Sequence, residues 1–208
     1  MKSLIVRDAM PEDSKVAREL IYFAGKSFFN HTFGFGGNKE KALEFIEYAF
    51  RKEVGTFSYK FAGIAQLDDK VVGLELSYDG KTKKVQDKIV EKQIIKYYNF
   101  FQLVRLFRRG QHVKRFFMDA PEDVYYFASL AVVPESRKSG IGTQLIKNVF
   151  NKKKKLGLKN CMLDVSIIKE NAIKLYRNFG FEIIGEYRNQ RLEEKYNLEG
   201  QYRMSSEL

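Results

Sequence analysis

Apolar and polar positions along the 208-residue chain follow two rhythms, one near two residues and one near four. "SLIVRDA" reads as a short strand, and Pro11 followed by Glu12 and Asp13 suits the first turn of a helix. Val16, Leu20, Ala24 and Phe28 then continue a stripe of period four. A second amphipathic helix is expected over about 38–52, with Ala42, Phe45, Ile46 and Ala49 on one side. "FSYKFAGIAQL" and "KVVGLELSY", joined by Asp68 and Asp69, predict a β-hairpin. From residue 124 the order is "VYYFASLAVV" (strand), 140–156 (helix), "NCMLDVSI" (strand) and 169–179 (helix), with "GFEIIGEYR" and "QYRMSSEL" as closing strands. A strand, a crossover helix and a second strand imply a parallel pair, so the expected class is mixed α/β in one domain over 1–208.

The stretch 81–122 differs. Lys84, Lys88, Lys92 and Lys96 recur every four residues, while Val85, Ile89, Ile94, Tyr97, Phe101 and Val104 line another side. This predicts a basic amphipathic helix or helix pair ending near Gly110. Residues 81–118 hold eleven Lys or Arg, Arg115 among them, against Asp87 and Glu91; that local +9 leaves the rest of the +11 chain at only +2. Three uses stay open: a solvated cover, an acceptor-site wall or homodimer contact, and binding to nucleic acid or a membrane surface. The last is disfavoured because no nucleic-acid motif accompanies the charge.

With 44% apolar and 30% charged residues, the chain reads as a globular protein. No apolar run is long enough to span a bilayer, and "MKSLIVRDAMPEDS" has too short an apolar run for a secretory signal. A single cysteine, Cys161, excludes an internal disulfide, and cytoplasm is the default expectation. His31, His112 and Cys161 have no zinc-like spacing, so no metal is expected. There is no G-x-S-x-G elbow.

The informative stretch is 130–146, "LAVVPESRKSGIGTQLI". A strand stops near Pro134, and Gly140 and Gly142 stand where a helix begins. Free N–H groups at a helix start attract phosphate, and glycine clears side chains from them. Arg137–Thr143 therefore reads as a turn shaped for a pyrophosphate. It is not a P-loop, which needs Lys-Ser/Thr after the last glycine. It is not a dinucleotide fingerprint either, since Leu145 stands where the third glycine belongs.

The order Val132, Pro134, Arg137, Gly140, Gly142 resembles the acetyl-CoA pyrophosphate loop of the GNAT superfamily of N-acyltransferases. The resemblance continues into "ENAIKLYRNFGFEIIG", where Ala172, Leu175, Tyr176, Gly180 and Phe181 match the superfamily's next motif. It is specific over roughly 124–185, generic over 1–80 and absent over the basic segment. It implies a central mixed sheet of six to seven strands flanked by helices, with a helical insertion between the third and fourth strands. It also implies that two parallel strands diverge around the pantetheine arm of CoA. Leu130, Ala131 and Val132 would pair with pantetheine amides, and one of their N–H groups would serve the oxyanion. Backbone N–H groups of Lys138, Ser139, Gly140, Ile141, Gly142 and Thr143 would hold the pyrophosphate, with Arg137 reaching CoA phosphates.

Acyl transfer from a thioester to an amine needs a base, an oxyanion donor and a proton for the leaving thiolate. By resemblance Tyr176 supplies that proton, although Ala172, Leu175, Tyr176 and Phe179 also read as an ordinary core stripe. Asp164 coincides with a glutamate used as base by some ribosomal-protein N-terminal acetyltransferases; being shorter, it would need a bridging water. Glu75 is the second candidate base, and either carboxylate also reads as a solvated or hydrogen-bonded strand residue. His31 is a distant third, read as a partly exposed loop residue. Lys169 stands where the family has an asparagine, so either Lys169 or Asn171 would contact CoA. The resulting expectation is an N-acetyltransferase that moves an acetyl group from acetyl-CoA to a primary amine of a small molecule or peptide. The rival is a non-catalytic acyl-CoA-binding module that uses the basic insertion to bind partners.

Overall fold

The computed structural model describes residues 3–114 and 119–207. Arg115 of the basic segment and Leu208 of the last strand candidate lie outside the described residues. Strand β1 (Leu4–Asp8) leads through a 3-10 turn at Pro11–Asp13 into α1 (Ser14–Ala24), α2 (Lys26–His31) and α3 (Lys39–Phe50). The hairpin follows as β2 (Ala62–Leu67) and β3 (Lys70–Asp79), with Asp68 left-handed at the turn. β2 is shorter than the sequence pattern predicts, because Tyr59–Phe61 close a 3-10 turn on the Ser58 side chain.

The basic segment is a helix pair, α4 (Gly80–Tyr97) and α5 (Phe100–Val113), between β3 and β4 (Val124–Val132). Asp79 and Asn99 cap the two helices, accepting from the N–H groups of Thr82 and Gln102. Lys84, Lys88, Lys92 and Lys96 face water, and of the expected apolar side Ile94 and Tyr97 pack against the core. Val85, Val104 and Phe101 are exposed, the last at 78%, and Val90, Tyr98, Leu106 and Val113 are the buried positions. Breaking the segment at Tyr98–Asn99 resets the helical phase, which a single continuous stripe did not anticipate. On α1–α2 the expected Leu20, Ala24 and Phe28 face the core, joined by Ala17 and Ile21, whereas Val16 is exposed.

The second half runs α6 (Ile141–Lys155), β5 (Asn160–Ser166), α7 (Glu170–Arg177), β6 (Glu182–Tyr187), α8 (Gln190–Tyr196) and β7 (Gln201–Ser206). Helix α8, capped by Asn189, has no counterpart in the sequence reading. The described strands form one mixed sheet in the order β1-β2-β3-β4-β5-β7-β6. Only β4 and β5 pair in parallel, as their crossover helix α6 requires. One face packs on α1, α3 and the basic pair through Leu20, Phe45, Ile46, Leu74, Leu76 and Tyr126. The other packs on α6 and α7 through Phe127, Ile146, Val149, Leu163, Tyr176 and Phe181. Among the described residues no helix is long and apolar enough to cross a membrane.

Helix α6 is pinned to the sheet by Glu75. Its carboxylate has no exposed surface and accepts from Lys152 Nζ (2.6 Å), Asn148 Nδ2 (3.0 Å) and Ser77 Oγ (2.6 Å). Gly63, opposite Glu75 across the hairpin, makes the room: a Cβ there would come within 2.5 Å of Glu75 Oε1. Burial drives the Glu75 pKa up, while the three donors oppose it. In Lys152→Ala the enclosed carboxyl answers by taking up a proton. Unfolding free energy should then drop by about 2–3 kcal/mol, a fall of about 5–10 °C in Tm. Chemical denaturation checks this, with the denaturant slope unchanged.

Candidate active site

The parallel pairing of β4 with β5 covers only Val124–Phe127 against Asn160–Leu163. At Ala128 the β3–β4 register slips: Ser77 faces Phe127 while Leu76 faces Ser129. The extra residue bends β4 away. Beyond it, Ser129–Val132 keep β3 as their partner, whereas Asp164–Ser166 pair with β7. A wedge opens between the two strands and leaves the inner edge of Leu130, Ala131 and Val132 without a strand partner.

The turn after β4 lies at the mouth of this wedge. Pro134–Ser136 make one 3-10 turn, Arg137 is extended, and Lys138 (φ 61°) and Gly140 (φ 81°) are left-handed. Ser139 Oγ donates to the Ser136 carbonyl at 2.5 Å and braces the bend. Unlike α3, α4, α5 and α8, helix α6 has no side-chain cap. The N–H of Gln144 is the first to bond back, onto Gly140 O at 3.1 Å, so those of Ile141, Gly142 and Thr143 face outward. The two glycines do different work. Gly140 provides the left-handed φ and has open space where a side chain would be. Gly142 lets α6 approach α7, since a Cβ would sit 3.2 Å from Leu175 Cδ2. An uncapped helix start with an open, exposed glycine fits a diphosphate. Arg137 stacks its guanidinium 4.8 Å from the Phe23 ring centre and donates from Nε to Val132 O at 3.3 Å.

Tyr176 reaches the apex of the wedge from α7. Its ring meets the edges of Phe127, the last paired residue of β4, and Phe181. The side chain is 7% exposed, and its hydroxyl has no hydrogen-bond partner among the described residues. Burial, with a smaller push from Cys161, raises the phenol pKa, so the group keeps its proton and remains a donor. Cys161 is itself sealed under the sheet, its thiol pushed up to about 12 by burial.

Asp164 lies on the opposite face of the sheet, and it is not a solvated carboxylate. Arg203 of β7 grips it twice, Nε to Oδ1 and Nη2 to Oδ2, both at 2.8 Å. Tyr126 donates its hydroxyl to Oδ2 at 2.8 Å. Tyr78 stacks on the Tyr126 ring, and Lys83 Nζ lies 5.5 Å from that ring's centre. Burial first, and then Asp164, drive the Tyr126 phenol pKa far upward. Tyr126 and Arg203 are absent from the sequence reading, because only the β4–β5–β7 register brings them to Asp164. Glu75 belongs to the α6 tether described above and is not gathered with Asp164 or Tyr176.

Lys169 and Asn171 also part company. Asn171 is exposed on the first turn of α7, whereas Lys169 is half-buried and its ammonium donates to Ala24 O at the end of α1. Burial lowers the Lys169 pKa, Glu199 opposes this and Arg137 adds to it. Lys169 thus ties α7 to the α1–α2 corner, on which Arg137 also rests. His31 ends α2 at 2% exposure, not in a partly exposed loop. Its Nε2 is 3.2 Å from His112 Nδ1, and its carbonyl accepts from Arg109 Nη1 at 3.2 Å. Burial, Arg109 and His112 push its pKa down to about 4.

The His31 shift gives a pH dependence. A histidine kept neutral in the fold binds a proton first in the unfolded chain, so its contribution is complete above pH 6.5 and is lost as pH falls toward about 4. Denaturation curves across that window should show a loss of up to about 3 kcal/mol. The His31→Gln variant should lack this component.

Residues 26–181 match the family model described as the acetyltransferase (GNAT) family. N-alpha-acetyltransferase 50 of Danio rerio is 40% identical over 65 residues, a match spanning 31% of this chain and 39% of that protein's length. Among solved structures, an N-acetyltransferase from Staphylococcus aureus Mu50 superposes with a TM-score of 0.72 at 21% identity, covering 97% of this chain and 99% of that one. Ard1 from Thermoplasma volcanium superposes at 0.55 and 15% identity, with 97% and 95% coverage. At these identities the structural likeness speaks for the fold.

Proposed function

The chain belongs to the GNAT family of acetyltransferases, and we propose that it carries an acetyl group from acetyl-CoA to a primary amine by direct attack. One observation carries the reading: the partnerless Tyr176 hydroxyl stands at the apex of a wedge whose mouth is an uncapped, glycine-opened helix start. Acetyl-CoA, when bound, supplies a thioester carbonyl to be attacked and a thiolate to depart.

The residues divide the remaining work. N–H groups from Lys138 to Thr143 bind the diphosphate, and the free edge of Leu130, Ala131 and Val132 aligns the pantetheine amides and offers the oxyanion an N–H. Tyr176 delivers a proton to the departing sulfur. The amine approaches from the face that carries Tyr126. Its proton passes to the Tyr126 oxygen as the Tyr126 proton moves to Asp164, so the phenol takes the place of a bridging water. Arg203 fixes the Asp164 carboxylate beside that phenol through two hydrogen bonds. Glu75, fully enclosed and donated to by three groups, positions α6 and is not the base. Lys169 is engaged with the Ala24 carbonyl, which leaves Asn171 as the α7 side chain free to meet the cosubstrate. The local match to N-alpha-acetyltransferase 50 supports an amine at the end of a peptide or small molecule, with transfer inside one domain over 1–208 interrupted by the 81–122 insertion.

Thiol release from acetyl-CoA, followed over a panel of amines, amino acids and peptides, tests the reading. Tyr176→Phe should lower kcat about 10²-fold or more while acetyl-CoA still binds. Tyr126→Phe should cost a similar factor. If both variants turn over like the parent, the assigned proton path is wrong. Gly140→Val should shrink the thermal stabilisation that acetyl-CoA gives, beyond its own cost of about 1–2 kcal/mol for a left-handed β-branched residue. Absence of that stabilisation in the parent would refute the diphosphate turn.

A further inference from the structure

The geometry points to a cationic cavity between α5 and α8 as the seat of a carboxylate or phosphate carried on the far end of the amine acceptor, an inference that rests on the transfer reading above.

A cavity of about 580 Å³, within the range of small-molecule sites, is lined by His112, Arg191, Lys195 and Tyr196 together with neighbouring polar residues. A smaller hollow of about 260 Å³ shares His112 and Tyr196 and adds Arg105, Arg108 and Arg109. Among the described residues neither lining includes an aspartate or glutamate. Some surface cations do have acids, as Lys39 has Glu19, Lys84 has Glu122 and Arg188 has Glu193. Arg108, Arg191 and Lys195 form no ion pair with the described residues. Their charges converge: after burial, it is Arg109, Lys195, Arg108 and Arg191 that hold the His112 pKa down. Like charges gathered without a counter-ion repel one another, and a bound anion would relieve that repulsion.

The floor is built rather than fluid. His112 stacks on Tyr196 with ring centres 4.8 Å apart, and His31 lies 4.8 Å from the same ring. Arg109 is anchored on the His31 carbonyl. Guanidinium forks suit planar carboxylates and phosphates.

The position also fits an acceptor. Helix α8 returns to β7 through Gly200, whose carbonyl accepts from the Ile167 N–H at 3.0 Å, and Ser166 Oγ donates to Glu199 at 2.6 Å. Ser166 ends β5 at the open side of the wedge, so α8 is carried there. His31, on the other wall, follows the α1–α2 corner that Lys169 ties to the same side. An amine at Tyr126 would thus leave its other end toward the arginines.

Matched amines test this: O-phosphoethanolamine against ethanolamine for phosphate, β-alanine against β-alanine amide for carboxylate, and spermidine as a cation. Each is assayed with the parent, Arg108→Ala and Arg191→Ala, all shown folded by circular dichroism. Calorimetry with inorganic phosphate and with tricarballylate, without acetyl-CoA, reads binding directly. An anionic amine should have at least about tenfold higher kcat/KM than its neutral partner, and either variant should raise its KM by about tenfold, the worth of one charged hydrogen bond. Neutral or cationic amines used as well or better would overturn the inference and leave the transfer reading intact. Anion binding that is lost in both variants, with no amine acetylated, would sustain the seat and remove the transfer reading instead. Neither anion binding nor charge preference would sink the cavity as a site.

Discussion

Four residue pairs of parallel sheet, and then none, set the form of this molecule. If β4 and β5 stayed zipped beyond Phe127 and Leu163, the inner edges of Leu130–Val132 would be consumed by ladder hydrogen bonds. The one-residue slip at Ala128 turns β4 aside, while β7 pairs with β5 along its other edge from Cys161 to Ser166. An opened seam in a buried sheet is costly unless something else satisfies its backbone. That unmet demand suits an extended, amide-bearing segment, and the groups around the wedge are arranged on its two faces.

The two faces are electrostatically distinct. On the α6 side a carboxylate is enclosed with a lysine, an asparagine and a serine, and its effect is mechanical: it sets how α6, and so the turn at Gly140, sits on the sheet. On the other side Asp164 shares a cage with Arg203 and Tyr126. Both acids have bound cations of their own, and the cations of α5 and α8 have been left without acids. The charge excess of the chain is therefore concentrated in a cavity as well as spread along a lysine face.

Local pattern revealed the elements well where burial is one-sided and continuous. Ala42, Phe45, Ile46 and Ala49 of α3 are all buried as their spacing predicts. The turn at Gly140 was legible because left-handed backbone demands glycine, a local requirement. Pattern failed where the partner is remote. Tyr126, Asp164 and Arg203 are 38 and 39 positions apart and meet only through strand register. The strays from the expected stripes, Val16 on α1 and Val85, Phe101 and Val104 on α4–α5, arise because a strict period of four drifts from the 3.6-residue helical turn and because Tyr98 breaks the second stripe. Helix α8, with a single apolar residue between its charges and its terminal tyrosine, leaves too weak a stripe to announce itself.

The depth of Cys161 has a practical side. A thiol with no exposed surface, whose pKa burial pushes up to about 12, is a poor nucleophile toward an activated acyl group. On the proposed transfer reading, the fold thereby shields its own sulfur from acylation. Reagents that titrate free sulfhydryls should also see a silent background from the folded chain, so any colour that develops belongs to released coenzyme.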